Sequence, residues 1–189
     1  DIDGLHFDFI RFPARMGPDT PAVGYNPVAL DRFADEVGAP PTPYTAPWDQ
    51  WRAQQITTVV SRIKDGLEQR KPDVELSASV LAAWDLGLGR AFQDYRKWME
   101  LGLLDFVVPM SYSTSTATVW KDTSDALQVT DPSRVVVGLG AYMDKDNPAM
   151  MAEQINLLRS LGVRGFVLFA QDDVGMAPSP RAFMEDLAA

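Results

Sequence analysis

The chain has 189 residues, of which 46% are apolar and 10% aromatic, enough for a sizeable core and too many for the disordered class. Acidic residues outnumber basic ones 26 to 17 with no block of Lys or Arg to neutralise a run of phosphates, so nucleic acid is not an expected partner. Cysteine is absent, which removes disulfides, thiolate chemistry and Cys-type zinc sites, and no stretch approaches the roughly 20 apolar residues of a membrane span.

In chain order, short β-type runs alternate with longer helical ones. The first strand is Leu5 to Phe12. A long segment from Pro13 to Pro47 follows, holding eight of the fourteen prolines and one helical pattern at Val28 to Val37. It exceeds an ordinary βα loop, and reads either as a passive Pro-stiffened excursion or as a wall of a cleft. A helix from Trp48 to Gln69 puts Trp51, Val59, Ile63 and Leu67 on one stripe. Strand Val74 to Leu81 precedes a helix from Arg90 to Leu101, with Phe92, Tyr95, Trp98 and Leu101 in line; Trp51 and Trp98 are assigned to the core. Strands Leu104 to Tyr112, Val135 to Tyr142 and Gly165 to Gln171 complete the set. Helices lie at Ser115 to Gln128, Pro148 to Leu161 and Pro180 to Leu187, where Pro148 and Pro180 suit a first helical position.

Such alternation specifies parallel βαβ units, in a doubly wound sheet or a barrel. No G-x-G-x-x-G turn and no phosphate loop occurs, so the barrel is favoured and no cofactor is expected. The chain is read as a single partial domain over 1–189, the C-terminal five βα units of a (β/α)8 TIM barrel, with the first three units absent from this chain. Asp1-Ile2-Asp3 lacks the features of a signal peptide, though a targeting segment can lie upstream. The unpaired edge at Leu5 to Phe12 should be covered by N-terminal barrel units or a second copy.

The first strand carries most of the chemistry. With a period of two, Leu5, Phe7 and Phe9 face the helices, while His6, Asp8 and Ile10 face the barrel interior. An ionisable Asp near the C-terminal end of such a strand is paired or used, and Arg11 or His6 are the available partners. A metal at His6, the one histidine, is less expected than a hydrogen-bonded interior imidazole.

The run DGLHFDFIRFP, Trp51-Arg52 with Gln55, the segment Asp94-Tyr95-Arg96-Lys97-Trp98, LLDFVVPMSY and VVVGLGAY together resemble the glycosyl hydrolase-like 10 family, over essentially the whole chain. The resemblance implies a bacterial TIM-barrel glycosidase, extracellular or in the cell envelope, acting on a polysaccharide or oligosaccharide. A more distant similarity to the chitinase family sets that family's D-x-x-D-x-D-x-E on Asp3, His6, Asp8 and Ile10, so its general acid is missing. Its M-x-Y-D becomes Met110-Ser111-Tyr112-Ser113, losing another Asp. Tyr112, Tyr142 and Phe169, the last in the place of the aromatic floor, are kept.

Glycoside hydrolysis usually takes two carboxyl groups. Asp8 is one candidate, with Arg11 setting its charge. The second is open among Asp172 or Asp173, Asp85, Asp144 and a residue outside the chain. His6, Met110, Tyr112, Tyr142, Phe169 and Trp84 are the candidate substrate-binding residues; Trp84 and Trp120 follow strand ends, where a tryptophan packs on its own helix about as often as on a ligand. A carbohydrate-binding barrel without catalysis is the rival reading, and an enzyme for phosphorylated metabolites ranks last for want of a phosphate loop.

Overall fold

The sheet of the computed structural model, which describes residues 1–14, 23–144 and 147–170, holds five parallel strands in the order of the sequence. These are β1 (Gly4–Phe7), β2 (Glu75–Leu81), β3 (Phe106–Ser111), β4 (Val136–Gly140) and β5 (Gly165–Phe169). The sheet curls into a half-barrel of βα units with β1 and β5 at its edges, as the alternating pattern predicts. Parallel strands linked by helical crossovers end on one side, so β1 to β5 share a C-terminal rim.

The outer face of the sheet is the core. Leu76, Ala78 and Val80 of β2, Val107 of β3, and Val137 and Leu139 of β4 are buried against the helices. Each Leu or Val among them contributes roughly 1.5–3 kcal/mol by leaving water. The helices that cover them are α1 (Pro27–Val37), α2 (Ala46–Glu68), α3 (Trp84–Ala91), α4 (Tyr95–Glu100), α5 (Thr116–Leu127) and α6 (Pro148–Ser160). Proline stands in the first turn of α1, α2 and α6, and Asn26, Ser115 and Asn147 cap α1, α5 and α6 through their side chains. The expected helix at Pro180 to Leu187 lies outside the described residues.

Several expectations are corrected here. The buried line of α2 is Trp48, Arg52, Ala53, Ile56, Thr57 and Val60, not the stripe through Val59, which is exposed. Hydropathy misses it because two of its members, Arg52 and Thr57, are polar. Thr57 Oγ1 accepts from Trp98 Nε1 at 2.9 Å, and Arg52 donates to the Val23 carbonyl at 2.8 Å and pairs with Asp49. Trp51 is half-buried; it stacks on Trp48 and meets Phe33 edge-on, fastening α1 to α2 instead of filling the core.

The expected single helix from Arg90 to Leu101 is two helices, because Phe92 takes a left-handed φ of 56° that closes α3. Phe92, Tyr95 and Trp98 are fully buried as their spacing predicts, but Leu101 is exposed. The first strand ends at Phe7, short of Phe12, since Phe9 also has a positive φ, 52°, which turns the chain out of the sheet.

The long excursion is anchored from the barrel wall. Arg52, almost fully buried, lies 3.7 Å from the Phe92 ring centroid and faces Trp48 and Tyr25, while its contact with Val23 holds the returning chain. Gly24, at φ +89°, sits so close to Phe12 and Arg52 that a Cβ would come within 3.1 Å and 3.2 Å of them.

Candidate active site

The concave face of the sheet is built from the other parity of each strand. On β1, His6 faces inward opposite Ser77 of β2, while Leu5 and Phe7 turn to the core. His6 Nδ1 lies 2.8 Å from Ser77 Oγ and Nε2 lies 2.9 Å from Ser79 Oγ, so both ring nitrogens are held by hydroxyls. Burial lowers the His6 pKa below its ordinary 6.5, opposed by the charge of Asp8. The imidazole is hydrogen-bonded to the neighbouring strand but exposed on the concave face; among the described residues no cluster of three or more metal-ligating side chains occurs. A cavity of about 500 Å³ opens on this face, lined by His6, Ser77, Ser79, Val108, Tyr112 and Phe169 among others. A larger groove, about 800 Å³, runs through the helix layer past Trp51, Gln54 and Lys97, away from the concave face.

Three rings from three strand ends meet at the rim. Tyr112 follows β3, Tyr142 follows β4, and Phe169 ends β5. Tyr112 and Phe169 stack with centroids 5.2 Å apart and planes 5° apart, and Tyr142 meets each of them edge-on at 6.2 Å. Phe169 keeps 48% of its surface exposed, so one face of the stack remains open. Tyr112 lies against Gly138 and Gly140, where any Cβ would crowd it. Met110 pairs with Gly138 in the ladder, and alternation puts it on the same face as Val108. The Tyr112 pKa is raised by burial, and further by the nearby charge of Asp8.

Asp8 stands just past the end of β1, exposed, with Oδ1 accepting the Phe9 backbone N–H at 2.8 Å. Of the two partners the sequence offers Asp8, Arg11 makes no ion pair with it. The turn at Phe9, closed by Arg11 N–H donating to the Phe9 carbonyl at 2.7 Å, carries the guanidinium over the Phe9 ring at 4.7 Å. Arg11 also donates to the Phe12 carbonyl at 3.2 Å, and among the described residues it has no carboxylate partner. Phe9, assigned by parity to the helix side, is instead 71% exposed.

Other candidates separate. Asp85, in the first turn of α3, is exposed and its charge is felt at Lys121 of α5 instead of at the rim groups. Trp84 donates to Asp94 at 3.2 Å and has Arg96 stacked 4.3 Å from its ring centre, so it belongs to the helix layer, and Trp120 is an exposed residue of α5. Asp172 and Asp173 lie outside the described residues. Asp144, two residues past Tyr142, is 5% exposed, its Oδ2 has no hydrogen-bond partner among the described residues, and desolvation raises its pKa.

One residue without any motif signature organises the rim. Gln93, fully buried between α3 and α4, accepts from the Leu81 N–H at 2.8 Å and donates to the carbonyls of Ile10 and Ser79, both at 3.3 Å. Its amide ties the turn after Asp8 to the end of β2. Its one sequence signal is a lone amide beside Phe92 in an otherwise apolar stripe.

A half-barrel of five parallel βα units, with an aromatic rim at its strand ends, places the protein in the TIM-barrel class. The family model of glycosyl hydrolase-like 10 matches residues 1–149, and the chain belongs to that family. It is also similar to glycosyl hydrolase YngK of Bacillus subtilis (strain 168), 23% identical over 208 residues that cover 94% of this chain and 38% of the relative. The chain thus spans well under half the length of that protein.

Proposed function

We propose that this protein is a glycoside hydrolase acting on a polysaccharide, with Asp8 as its central carboxylate. The observation that carries the reading is the meeting of Tyr112, Tyr142 and Phe169 at one rim, with Asp8 near enough for its charge to be felt at Tyr112 and His6. Aromatic faces bind the C–H faces of sugar rings, and a strand-end carboxylate beside them supplies acid, base or nucleophile.

Asp8, exposed at the rim and accepting a backbone N–H, is placed as one partner of such a pair. Among the remaining carboxylates, Asp144 is the candidate for the proton-donating one, since it is buried, its Oδ2 has no hydrogen-bond donor among the described residues, and desolvation raises its pKa. Asp172 is a further candidate for the second carboxyl group. Family resemblance extends the proposal to an extracellular or envelope location, and the edges of β1 and β5 to further barrel units or a second copy.

A carbohydrate-binding barrel without catalysis is the second reading, favoured by Ile10 and Ser113 at positions where the chitinase family carries carboxylates. Turnover of a polysaccharide panel by the full-length protein separates the two. Asp8→Asn should lower kcat by orders of magnitude and leave the fold intact; near-full turnover in that variant would remove Asp8 from the mechanism.

A further inference from the structure

Phe9 is the least expected side chain at the rim. It carries a positive φ of 52°, a conformation that bulky L-residues rarely adopt, and it leaves 71% of its surface in water. The neighbouring groups hold it there: Asp8 Oδ1 accepts its N–H at 2.8 Å, Arg11 N–H donates to its carbonyl at 2.7 Å, and the Arg11 guanidinium covers one face of its ring at 4.7 Å. A ring whose backbone is fixed by two hydrogen bonds and whose one face is covered by a guanidinium loses little freedom when something stacks on the other. Neither packing nor backbone preference accounts for an apolar ring in that position, because the core lies on the side to which Leu5 and Phe7 point.

Its place in the topology suggests its use. β1 and β5 are the two edge strands and end at the same rim, so Phe9 and Phe169 stand at opposite ends of it. Four interstrand steps of about 4.8 Å set them roughly 19 Å apart along the sheet, less across its curl. That span exceeds one pyranose ring. Asp8 adjoins Phe9, so a sugar chain reaching from one platform to the other would pass the carboxylate beside the Phe9 platform, on the side from which its charge reaches Tyr112.

We infer that Phe9 is a second sugar-stacking platform, braced by Arg11, and that the site takes an oligosaccharide segment of several units across Asp8 instead of a single terminal sugar. This rests on the saccharide reading above. The probes are ladders of cello-, chito- and xylo-oligosaccharides from disaccharide to hexasaccharide, with affinity measured by calorimetry on the full-length protein, its Phe9→Ala, Phe9→Gly and Phe9→Trp variants, and Phe169→Ala.

For at least one ladder the wild-type affinity should climb with length. Phe9→Ala and Phe9→Gly should remove that climb, costing on the order of tenfold at the hexasaccharide and little at the disaccharide, while Phe9→Trp keeps it and Phe169→Ala weakens every length. Phe9→Gly should also hold or raise the Tm, because glycine accepts the positive φ; a loss of Tm with unchanged affinity would make Phe9 structural and overturn the inference. Length-dependent binding unaffected by any Phe9 variant overturns it too and leaves the saccharide reading standing. No binding of any ladder by the wild type overturns both.

Discussion

A Cβ placed on Gly140 would stand 3.1 Å from Tyr112 Cβ and 3.3 Å from Tyr112 Cα, so the tyrosine is laid directly on the backbone of β4. Gly138 makes the same allowance further along the ring, with Tyr112 Cε1 at 3.4 Å. The run Val136-Val137-Gly138-Leu139-Gly140 therefore has a division of labour that follows from the strand period. Val137 and Leu139 fill the core, and the two glycines clear a bed for the ring that stacks on Phe169.

Gly140→Ala should consequently cost about 1–3 kcal/mol in urea unfolding, since the added methyl meets the start of the Tyr112 side chain, which cannot swing aside. Displacing Tyr112 should also weaken saccharide binding. Gly89→Ala is the control, because that glycine has open space around its Cβ position within α3 and should be neutral or slightly stabilising. Equal stability of Gly140→Ala and wild type would show that β4 can shift to admit the methyl.

Gln93→Leu conserves approximate size and deletes all three amide contacts. The Leu81 N–H and the Ile10 and Ser79 carbonyls lose their side-chain partner, and the expected cost is about 2–4 kcal/mol. Because Ile10 lies two residues from Asp8, catalysis should fall more than stability explains, with kcat affected at temperatures where the variant is fully folded. A variant as stable as wild type would mean that water replaces the amide.

The contrast between Gln93 and Tyr112 marks what the sequence can convey. Tyr112, Tyr142 and Phe169 each follow an apolar run whose length and β-branched content identify a strand, and parallel connectivity then brings their ends together. Gln93 depends on a left-handed residue at Phe92 that no periodicity announces, so the stretch reads as one continuous helix. Phe9 fails for the same reason: alternation is a valid guide until the strand stops, and the stop is a backbone dihedral at a residue type that seldom adopts it. Arg52 is missed because a charged side chain on a buried line is legible only when its aromatic surroundings and Asp49 are in view.

His6 offers a direct reading of Asp8. As the one histidine, it gives a single titrating imidazole in a proton NMR spectrum. Its native pKa is below 6.5, so the stability associated with the neutral ring is present above pH 6.5 and is lost as pH falls through the lowered native value. Asp8 opposes that lowering; Asp8→Asn should move the midpoint further down, and Ser79→Ala should leave the direction of the Asp8 effect unchanged. An unchanged midpoint in Asp8→Asn would place the carboxylate too far from the concave face to act there.

Asp144 should reveal its role through the pH dependence of stability. Desolvation raises its native pKa above the ordinary 3.8, so the native chain binds this proton more tightly than the unfolded chain does. Near pH 3 and below, both states are protonated and the carboxyl carries no penalty; as pH rises through 3.8 toward the native value, the unfolded chain ionises freely and stability drains away. Above the native value the deficit is constant. Asp144→Asn removes the ionisation and keeps the shape, so its stability advantage over wild type should be absent in acid, grow as pH rises through 3.8 and level off once pH exceeds the raised native value. If Asp144 is the proton donor at the rim, the same variant should be more stable and much less active at neutral pH, the exchange expected where a site holds a carboxyl group against its preference. Urea unfolding of both proteins across this range, with turnover measured alongside, tests the two halves separately. A variant less stable than wild type at neutral pH would mean that the carboxylate is ionised and paired. A more stable variant with full activity would keep the burial argument and take Asp144 out of the chemistry.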